Sequence, residues 1–275
     1  MTASQNDKAR TFRALHERPG ALVIPNPFDL GTARILAGLG FVALATTSVG
    51  CAFSLGRPDG AITRDEALAH ARTIVDATPL PVSADLENGL GAAPETVAET
   101  IRLAAEVGLV GGSIEDASGD PERPVYDLVH AVERVGAAAE AARSLRFTLT
   151  ARAENFLYGR PDLDDTIRRL QAFEAAGADV LYAPGLRDLA MIRAVCAAVG
   201  KPVNVVMGLA GAAFSVDDLA AAGVRRISLG SALSRAALGA FLRAAREIKE
   251  SGTFSFADGA ASFAEFAPFM PGRPT

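Results

Sequence analysis

The chain has 275 residues, of which 49% are hydrophobic, 21% are charged and none is Trp. These numbers are typical of one compact α/β domain, and we treat residues 1–275 as a single domain. The net charge of −5, without a basic tail, speaks against a nucleic-acid partner. The polar N-terminus lacks the apolar core of a signal peptide, and no apolar run approaches the ~18 residues that span a membrane, so we expect a cytoplasmic protein without a membrane partner.

Short apolar segments recur along the chain and predict eight strands. They span residues 21–26, 41–47, 81–86, 110–115, 146–151, 179–183, 202–206 and 225–229. Four of them follow a glycine that ends a helical segment, where the left-handed conformation is needed. Segments that are apolar on both faces are typical of parallel strands covered by helices.

Amphipathic segments lie between these strands and predict helices. They span residues 64–76, 94–107, 125–143, 163–176, 187–199, 215–222 and 231–250. Eight strand–helix units in one chain of this length predict a (β/α)8 TIM barrel. An open doubly wound sheet is the alternative, but it usually carries a glycine-rich phosphate loop after its first strand, where this chain has PNPFDLGTA.

The C-terminal extension, about residues 231–275, departs from this pattern. Five of the 14 Phe residues lie beyond residue 251, at positions 254, 256, 263, 266 and 269. So apolar a segment is not expected to stay in water. It either packs on its own barrel or docks on a neighbouring subunit, and our hypothesis is the second.

Polar residues gather at the ends of the predicted strands, which is where TIM barrels place their chemistry. They are Thr46–Gly50 after the second strand, Asp85, Glu87 and Asn88 after the third, Glu115 and Asp116 after the fourth, Arg152, Glu154 and Asn155 after the fifth, Tyr182 after the sixth and Asn204 after the seventh. Asn204 is included as a candidate for substrate binding.

Asp85 and Glu87 are two positions apart, so an extended strand would point both carboxylates the same way. Such a pair repels unless a cation or a proton relieves it, and Glu115 adds a third acid. Hard oxygen ligands of this kind suit Mg²⁺, and Mn²⁺ would also fit. Arg152 offers a planar fork for a substrate carboxylate or phosphonate. The alternative is that each acid caps a following helix.

The residues of other common mechanisms are missing from the strand ends. His16, His70 and His130 all fall on predicted helices, and there is no G-x-S-x-G motif. Cys51 and Cys196 fit no metal spacing and are expected to be reduced thiols. A mechanism centred on a metal remains, with Glu154, Tyr182 and Asp116 as conceivable proton donors.

Six segments together resemble the isocitrate lyase/phosphoenolpyruvate mutase superfamily. They are IPNPFDLGTARI, TTSVGCAFSLGRPDG, VSADLENGLG, GGSIEDAS, LTARAENF and GADVLYAPG, and they cover most of residues 20–250 in the expected order. The resemblance implies a (β/α)8 barrel whose last helix is swapped between subunits, and therefore a homo-oligomer, either a dimer or a tetramer.

The resemblance also implies roles for particular residues. Thr47, Ser48 and Val49 match a loop that holds a substrate carboxylate, and Arg152 matches the arginine that clamps the substrate. Asp85 and Glu87 match a D-x-D pair that binds the metal. Asp59 matches an aspartate near the metal, and Glu115 matches a glutamate that contacts the metal. The catalytic candidates are therefore Asp59, Glu115 and Arg152, and the metal candidates are Asp85, Glu87 and Glu115.

The segment after the fourth strand departs from the family. It reads EDASGDPERPVYD and lacks both the cysteine loop of the lyases and the Lys and Asn of the mutases. Pro184 replaces a glutamate after the sixth strand. The first functional hypothesis is a Mg²⁺-dependent lyase or decarboxylase that cleaves a C–C bond of a small 2-oxo or 2-hydroxy acid through an enolpyruvate-like oxyanion. A P–C bond enzyme and a non-catalytic barrel that binds an oxo acid are the alternatives.

Overall fold

The computed structural model describes residues 3–208 and 214–270. Its strands are β1 (Leu22–Ile24), β2 (Leu44–Ala45), β3 (Val82–Asp85), β4 (Gly111–Glu115), β5 (Thr148–Arg152), β6 (Val180–Tyr182), β7 (Val203–Val206) and β8 (Arg226–Ser228). Neighbouring strands are parallel, in the order β1-β8-β7-β6-β5-β4-β3-β2. The amide of Ala45 donates to the carbonyl of Pro25 at 3.1 Å, and this bond bridges the remaining gap between β1 and β2. The predicted (β/α)8 barrel is confirmed.

Helices surround the barrel between successive strands. They are α1 (Gln5–Glu17), α2 (Leu30–Gly38), α3 (Ser48–Ser54), α4 (Arg64–Ala77), α5 (Pro94–Glu106), α6 (Leu128–Leu145), α7 (Leu163–Ala175), α8 (Leu189–Ala198), α9 (Val216–Ala221), α10 (Ala232–Ser251) and α11 (Phe263–Phe266). In the described residues we find no helix whose length and hydrophobicity would let it span a bilayer.

Helices α6 and α3 show where the structure departs from the sequence prediction. Helix α6 begins at Leu128 rather than at 125, because the side chain of Asp127 caps it by accepting a bond from the His130 amide. The preceding residues form a loop closed by an antiparallel bridge between Ala117 and Val125. The sequence does not predict the short α3, whose cap is Thr47.

Helix α1 covers the end of the barrel at which the strands begin. Its Phe12 is fully buried and packs in a cluster with Leu22 of β1 and Val110 beside β4. A Cβ placed on Gly111 would lie 2.8 Å from Phe12 and 2.9 Å from the Thr148 carbonyl, so only glycine fits there. This helix seals the barrel floor and leaves the opposite end open.

The C-terminal extension stays largely exposed. Phe263 is 97% exposed and Phe241 of α10 is 71% exposed, although the ring of Phe269 packs on Gly38 of α2. Part of the extension therefore folds back on its own barrel. Residues 271–275 of the predicted extension lie outside the described residues.

Candidate active site

A cavity of about 920 Å³ opens at the end of the barrel where the strands finish. Its wall includes residues that follow β2, β3, β4 and β5, as the barrel topology requires. Eight sequence candidates meet there: Thr47, Ser48, Val49, Asp59, Asp85, Glu87, Glu115 and Arg152. The structure thus brings together side chains that are more than 100 positions apart in the chain.

The loop after β2 is tied directly to the acids. The backbone amide of Ser48 donates to Asp85 at 3.3 Å, and the Ser48 hydroxyl donates to Asp59 at 3.4 Å. The Thr47 hydroxyl accepts a bond from the Gly50 amide and so begins α3. A Cβ on Gly50 would lie 2.6 Å from Thr47 and 2.8 Å from Phe28, which explains the glycine at this turn.

Arg152, the last residue of β5, lies at the centre of the acids. Its guanidinium contacts Asp85 at 3.0 Å, Glu115 at 3.1 Å and Glu154 at 2.9 Å. It also lies over the ring of Tyr182, 4.9 Å from the ring centre. Burial opposes the charge of Arg152, but the three carboxylates outweigh it and raise its pKa further above the usual value. The cavity therefore contains a fixed positive charge with a planar fork.

Negative charge exceeds positive charge in this cavity. Burial, followed by the charges of Asp85 and Asp59, raises the pKa of Glu87 to about 7. Burial raises the pKa of Glu115 well above its usual value despite the nearby Arg152. Burial and the charge of Asp85 raise the pKa of Asp59. Two guanidiniums, those of Arg152 and Arg64, line the cavity together with five carboxylates, so a cation or protons must relieve the excess negative charge.

The orientation predicted for the acid pair is wrong in detail. Strand β3 ends at Asp85, and Glu87 has a left-handed backbone with a φ of 48° instead of continuing an extended strand. The turn nevertheless places Glu87 in the wall of the same cavity as Asp85. A strand stops here because the Glu87 amide donates to the Asp85 side chain at 3.3 Å, which closes a local turn.

The donor set fits a divalent cation. Carboxylate oxygens are hard ligands, and Oε1 of Glu87 is buried without a hydrogen-bond partner. Within residues 3–208 and 214–270, however, no three acids, cysteines or histidines are already grouped around one point as metal ligands. Arg152 holds Asp85 and Glu115 instead, so a cation would have to draw these carboxylates towards Glu87.

Asn204, predicted as a substrate contact, lies apart from the cavity wall. Its side chain is buried inside the barrel, and its amide donates to the Ser228 hydroxyl at 3.0 Å. The strand register explains why Asn204 does not line the cavity. Asn204 lies opposite Arg226 of β8 in the sheet, below the strand ends that form the cavity. Its role in binding a substrate stays a prediction.

The three conceivable proton donors differ in position. Asp116 faces the helix layer, where it accepts from Arg169 at 3.0 Å and from the Glu154 amide at 2.8 Å, and burial raises its pKa to about 6. Tyr182 lies beneath Arg152, and burial raises its pKa. Glu154 lines the cavity and binds Arg152.

Leu157 and Tyr158 are among the residues of the cavity wall that escape the sequence prediction. Both follow β5 and line the opening, where they are 50% and 43% exposed. Burial, followed by the charges of Glu115 and Glu154, raises the pKa of Tyr158. The signal available in the sequence was their place just beyond Arg152, in the segment ENFLYG.

The histidines and cysteines lie as expected, outside the chemistry of the cavity. His16, His70 and His130 belong to α1, α4 and α6. Cys51 is buried within α3, and burial raises the pKa of its thiol to about 11. A thiol with this pKa is inert at neutral pH and does not replace the missing cysteine loop.

Relatives with known names share both sequence and fold. The chain is 30% identical to 2-methylisocitrate lyase of Escherichia coli K12 over 80% of this chain and 77% of that protein. It is 33% identical to oxaloacetate decarboxylase of Ectopseudomonas mendocina over 74% of this chain and 71% of the relative. A crystal structure described as a lyase/mutase from Burkholderia cenocepacia J2315 superposes with a TM-score of 0.94 at 62% identity, with 96% of each chain covered.

A family model for phosphoenolpyruvate phosphomutase matches residues 12–249. This match begins within α1, ends within α10 and contains every residue of the cavity described above. The chain belongs to the PEP mutase family, within the isocitrate lyase/PEP mutase superfamily.

Proposed function

We propose that this protein cleaves a C–C bond of a small 2-oxo or 2-hydroxy acid, as a lyase or decarboxylase. The observation that carries the proposal is the pairing, in one cavity, of the Arg152 fork with more acids than it can neutralise. Such a cavity accepts an anionic substrate together with a cation. The names of the relatives, 2-methylisocitrate lyase and oxaloacetate decarboxylase, support the same reaction class.

We assign the metal to Asp85, Glu87 and Glu115, with Mg²⁺ as the expected ion and Mn²⁺ as a substitute. The bound ion would supply positive charge beside the oxygen on which negative charge develops. The buried oxygen of Glu87 that lacks a hydrogen-bond partner and the raised pKa values of Glu87 and Glu115 support this assignment.

Substrate binding is assigned to Arg152 and to the loop of Thr47, Ser48 and Val49. Arg152 offers two parallel N–H donors to one carboxylate. The Ser48 amide and hydroxyl, now bonded to Asp85 and Asp59, lie beside the acids and are suited to bind a second carboxylate. Asp59 is then placed to orient Ser48, and Asn204 stays a candidate from the sequence alone.

The proposed reaction leaves the electrons of the broken C–C bond on the substrate as an enolate. For a 2-oxo dicarboxylate such as oxaloacetate, carbon dioxide leaves and the enolate of pyruvate remains. Fixed positive charge, including that of Arg152, lowers the energy of this oxyanion because it is in place before the charge develops. A proton taken up at carbon then gives pyruvate, and we assign its donor to no residue.

A P–C bond enzyme is the second candidate. The matched family model describes a phosphomutase, and the fork of Arg152 binds a phosphonate as well as a carboxylate. A barrel that binds an oxo acid without catalysis is the third candidate, because the loop of residues 117–125 carries neither lyase nor mutase residues.

One panel of substrates separates these functions. Oxaloacetate, malate-type acids, methylisocitrate and phosphonopyruvate are incubated with Mg²⁺ and, in parallel, with EDTA. We expect pyruvate to be released from a carboxylic substrate only with Mg²⁺. Release of phosphate or rearrangement of phosphonopyruvate would favour the P–C enzyme. No turnover, with oxalate still bound, would favour the non-catalytic barrel.

We also propose that the C-terminal extension docks on a second copy of the chain. Phe241, Phe254 and Phe263 present apolar area that the single chain leaves in solvent. Truncation after Gly252 should lower the mass of the assembly measured by size-exclusion chromatography with light scattering. An unchanged mass would contradict the docking.

A further inference from the structure

Arg134 of α6 is a fully buried arginine, with a side chain that is 1% exposed. Its guanidinium donates to the backbone carbonyls of Gly91 at 2.7 Å and Ala92 at 2.6 Å, and also to that of Asn88. The ring of Tyr126 covers it, 4.5 Å from the guanidinium carbon. Carbonyl oxygens and a ring face thus take the place of the paired carboxylate that a buried arginine usually has.

The three carbonyls belong to one loop, residues 86–92, which we call the acid loop because it carries Glu87. Its backbone is unusual, with φ of 48° at Glu87, 79° at Gly89 and 57° at Leu90. Glu87 and Leu90 are not glycines, so this left-handed conformation is unfavourable for them and needs external support.

Support for the acid loop comes from the two helices that follow it. The Thr100 hydroxyl of α5 donates to the Gly89 carbonyl at 2.8 Å, and a ring nitrogen of His130 lies 3.1 Å from the Ala92 carbonyl. Arg134 provides three of the bonds from its single side chain. It is therefore the largest single restraint on the loop among the described contacts.

The conformation of the acid loop decides where Glu87 points. The Glu87 carbonyl accepts a bond from the Glu115 amide at 3.0 Å, and the Glu87 amide donates to Asp85 at 3.3 Å. Both bonds require the turn that the left-handed residues make. If the loop relaxed to an ordinary conformation, the Glu87 carboxylate would leave its place beside Asp85 and Asp59.

We propose that Arg134 is a positioning residue of the active site, which holds the acid loop in its left-handed turn so that Glu87 faces the cavity. This proposal rests on the proposed function where it treats Glu87 as a metal ligand. Arg134 itself touches neither substrate nor metal, and it acts through the carbonyls of Asn88, Gly91 and Ala92. Tyr126, which covers Arg134, also closes the 117–125 loop, because its backbone amide donates a hydrogen bond to the Asp116 carbonyl.

The test uses two variants and two measurements on the full chain. Arg134→Met removes the donors, and Arg134→Lys keeps the charge but replaces the fork with one ammonium group. Hydrogen exchange of the amides of residues 86–92 is followed without metal. Calorimetric titration with Mg²⁺ alone then measures the dissociation constant. The matched control is Phe12→Leu, which weakens packing at the opposite end of the barrel.

We expect Arg134→Met to raise exchange in the acid loop about tenfold and to weaken Mg²⁺ binding about 10–100-fold, as loss of an outer support of a metal ligand does. Arg134→Lys should show a smaller change in the same direction. Phe12→Leu should lower the melting temperature without changing either quantity. If Arg134→Met does not fold, Arg134→Lys alone decides the comparison.

Equal exchange and equal Mg²⁺ affinity in the wild type and the Arg134 variants would overturn the proposal. The same holds if Phe12→Leu changes both quantities as much as the Arg134 variants do, since the effect would then be general instability. A wild-type protein that binds no Mg²⁺ would contradict the proposed function, while the exchange of the acid loop would still decide the role of Arg134.

Discussion

The two ends of the barrel bury charged groups in opposite ways. At the floor, burial and the charge of Arg226 lower the pKa of His16 to about 4, so the ring is neutral, and Arg226 itself bonds the Thr150 hydroxyl. At the mouth, Arg152 and its carboxylates stay crowded together, and the acid loop is held in a left-handed turn. The floor keeps the His16 ring neutral beside the charge of Arg226, whereas the mouth keeps an excess of carboxylates that a cation or protons must relieve.

The largest effect is expected at the floor, on stability. Phe12→Ala should lower the free energy of unfolding by about 3–5 kcal/mol, because it opens a cavity in a fully buried cluster. Chemical denaturation measures this loss. Below the unfolding transition, the turnover per folded molecule should match the wild type. A large loss of turnover in folded protein would mean that the floor and the mouth are not independent.

At the mouth, Arg152→Lys should lower kcat/KM by about 10²–10³-fold. A single ammonium cannot reproduce the fork that contacts Asp85, Glu115 and Glu154. Steady-state kinetics with Mg²⁺, on whichever substrate of the panel reacts, measures the change. The control is Arg168→Lys on α7, whose side chain is 63% exposed. Wild-type kinetics in Arg152→Lys would contradict the assignment of Arg152 to the substrate site.

The smallest effect concerns the pH dependence of the floor. The unfolded chain protonates His16 below about pH 6.5, whereas the folded protein does so only near a pKa of about 4. The free energy of unfolding therefore decreases as the pH falls from about 6.5 towards about 4. Between pH 7 and pH 4.5, the free energy of unfolding of the wild type should decrease by on the order of 2 kcal/mol more than that of His16→Leu. Denaturant titrations at both pH values give the difference, and a difference independent of pH would contradict a neutral buried His16.

Much of this architecture can be predicted from the chain. The glycine that ends four of the helical segments and the apolar runs that predict the strands are signals local in the sequence, so the strands can be located. For the same reason the residues at the ends of β2, β3, β4 and β5 could be named in advance. Barrel topology alone then brings them to one mouth.

What escapes prediction depends on contacts between distant segments. Arg134 meets the Asn88 carbonyl across 46 positions, and Arg152 meets Asp85 across 67. Neither pairing leaves a periodic signal, because each depends on how helices and strands dock. The left-handed turn at Glu87 is missed for a related reason. The alternation of residues at positions 85 and 87 predicts a continued strand, whereas the turn depends on contacts from other segments of the chain.

The central claim is that a cation binds at the barrel mouth between the acids of β3 and β4. A crystal structure with Mg²⁺ and oxalate tests this claim most directly. We expect an ion at ~2.0–2.1 Å from oxygens of the set Asp85, Glu87 and Glu115 or of waters bound to them, with oxalate completing its shell and facing Arg152. If these carboxylates stay on Arg152 and the ion and oxalate bind elsewhere, the proposed function is wrong and only the fold and the family remain.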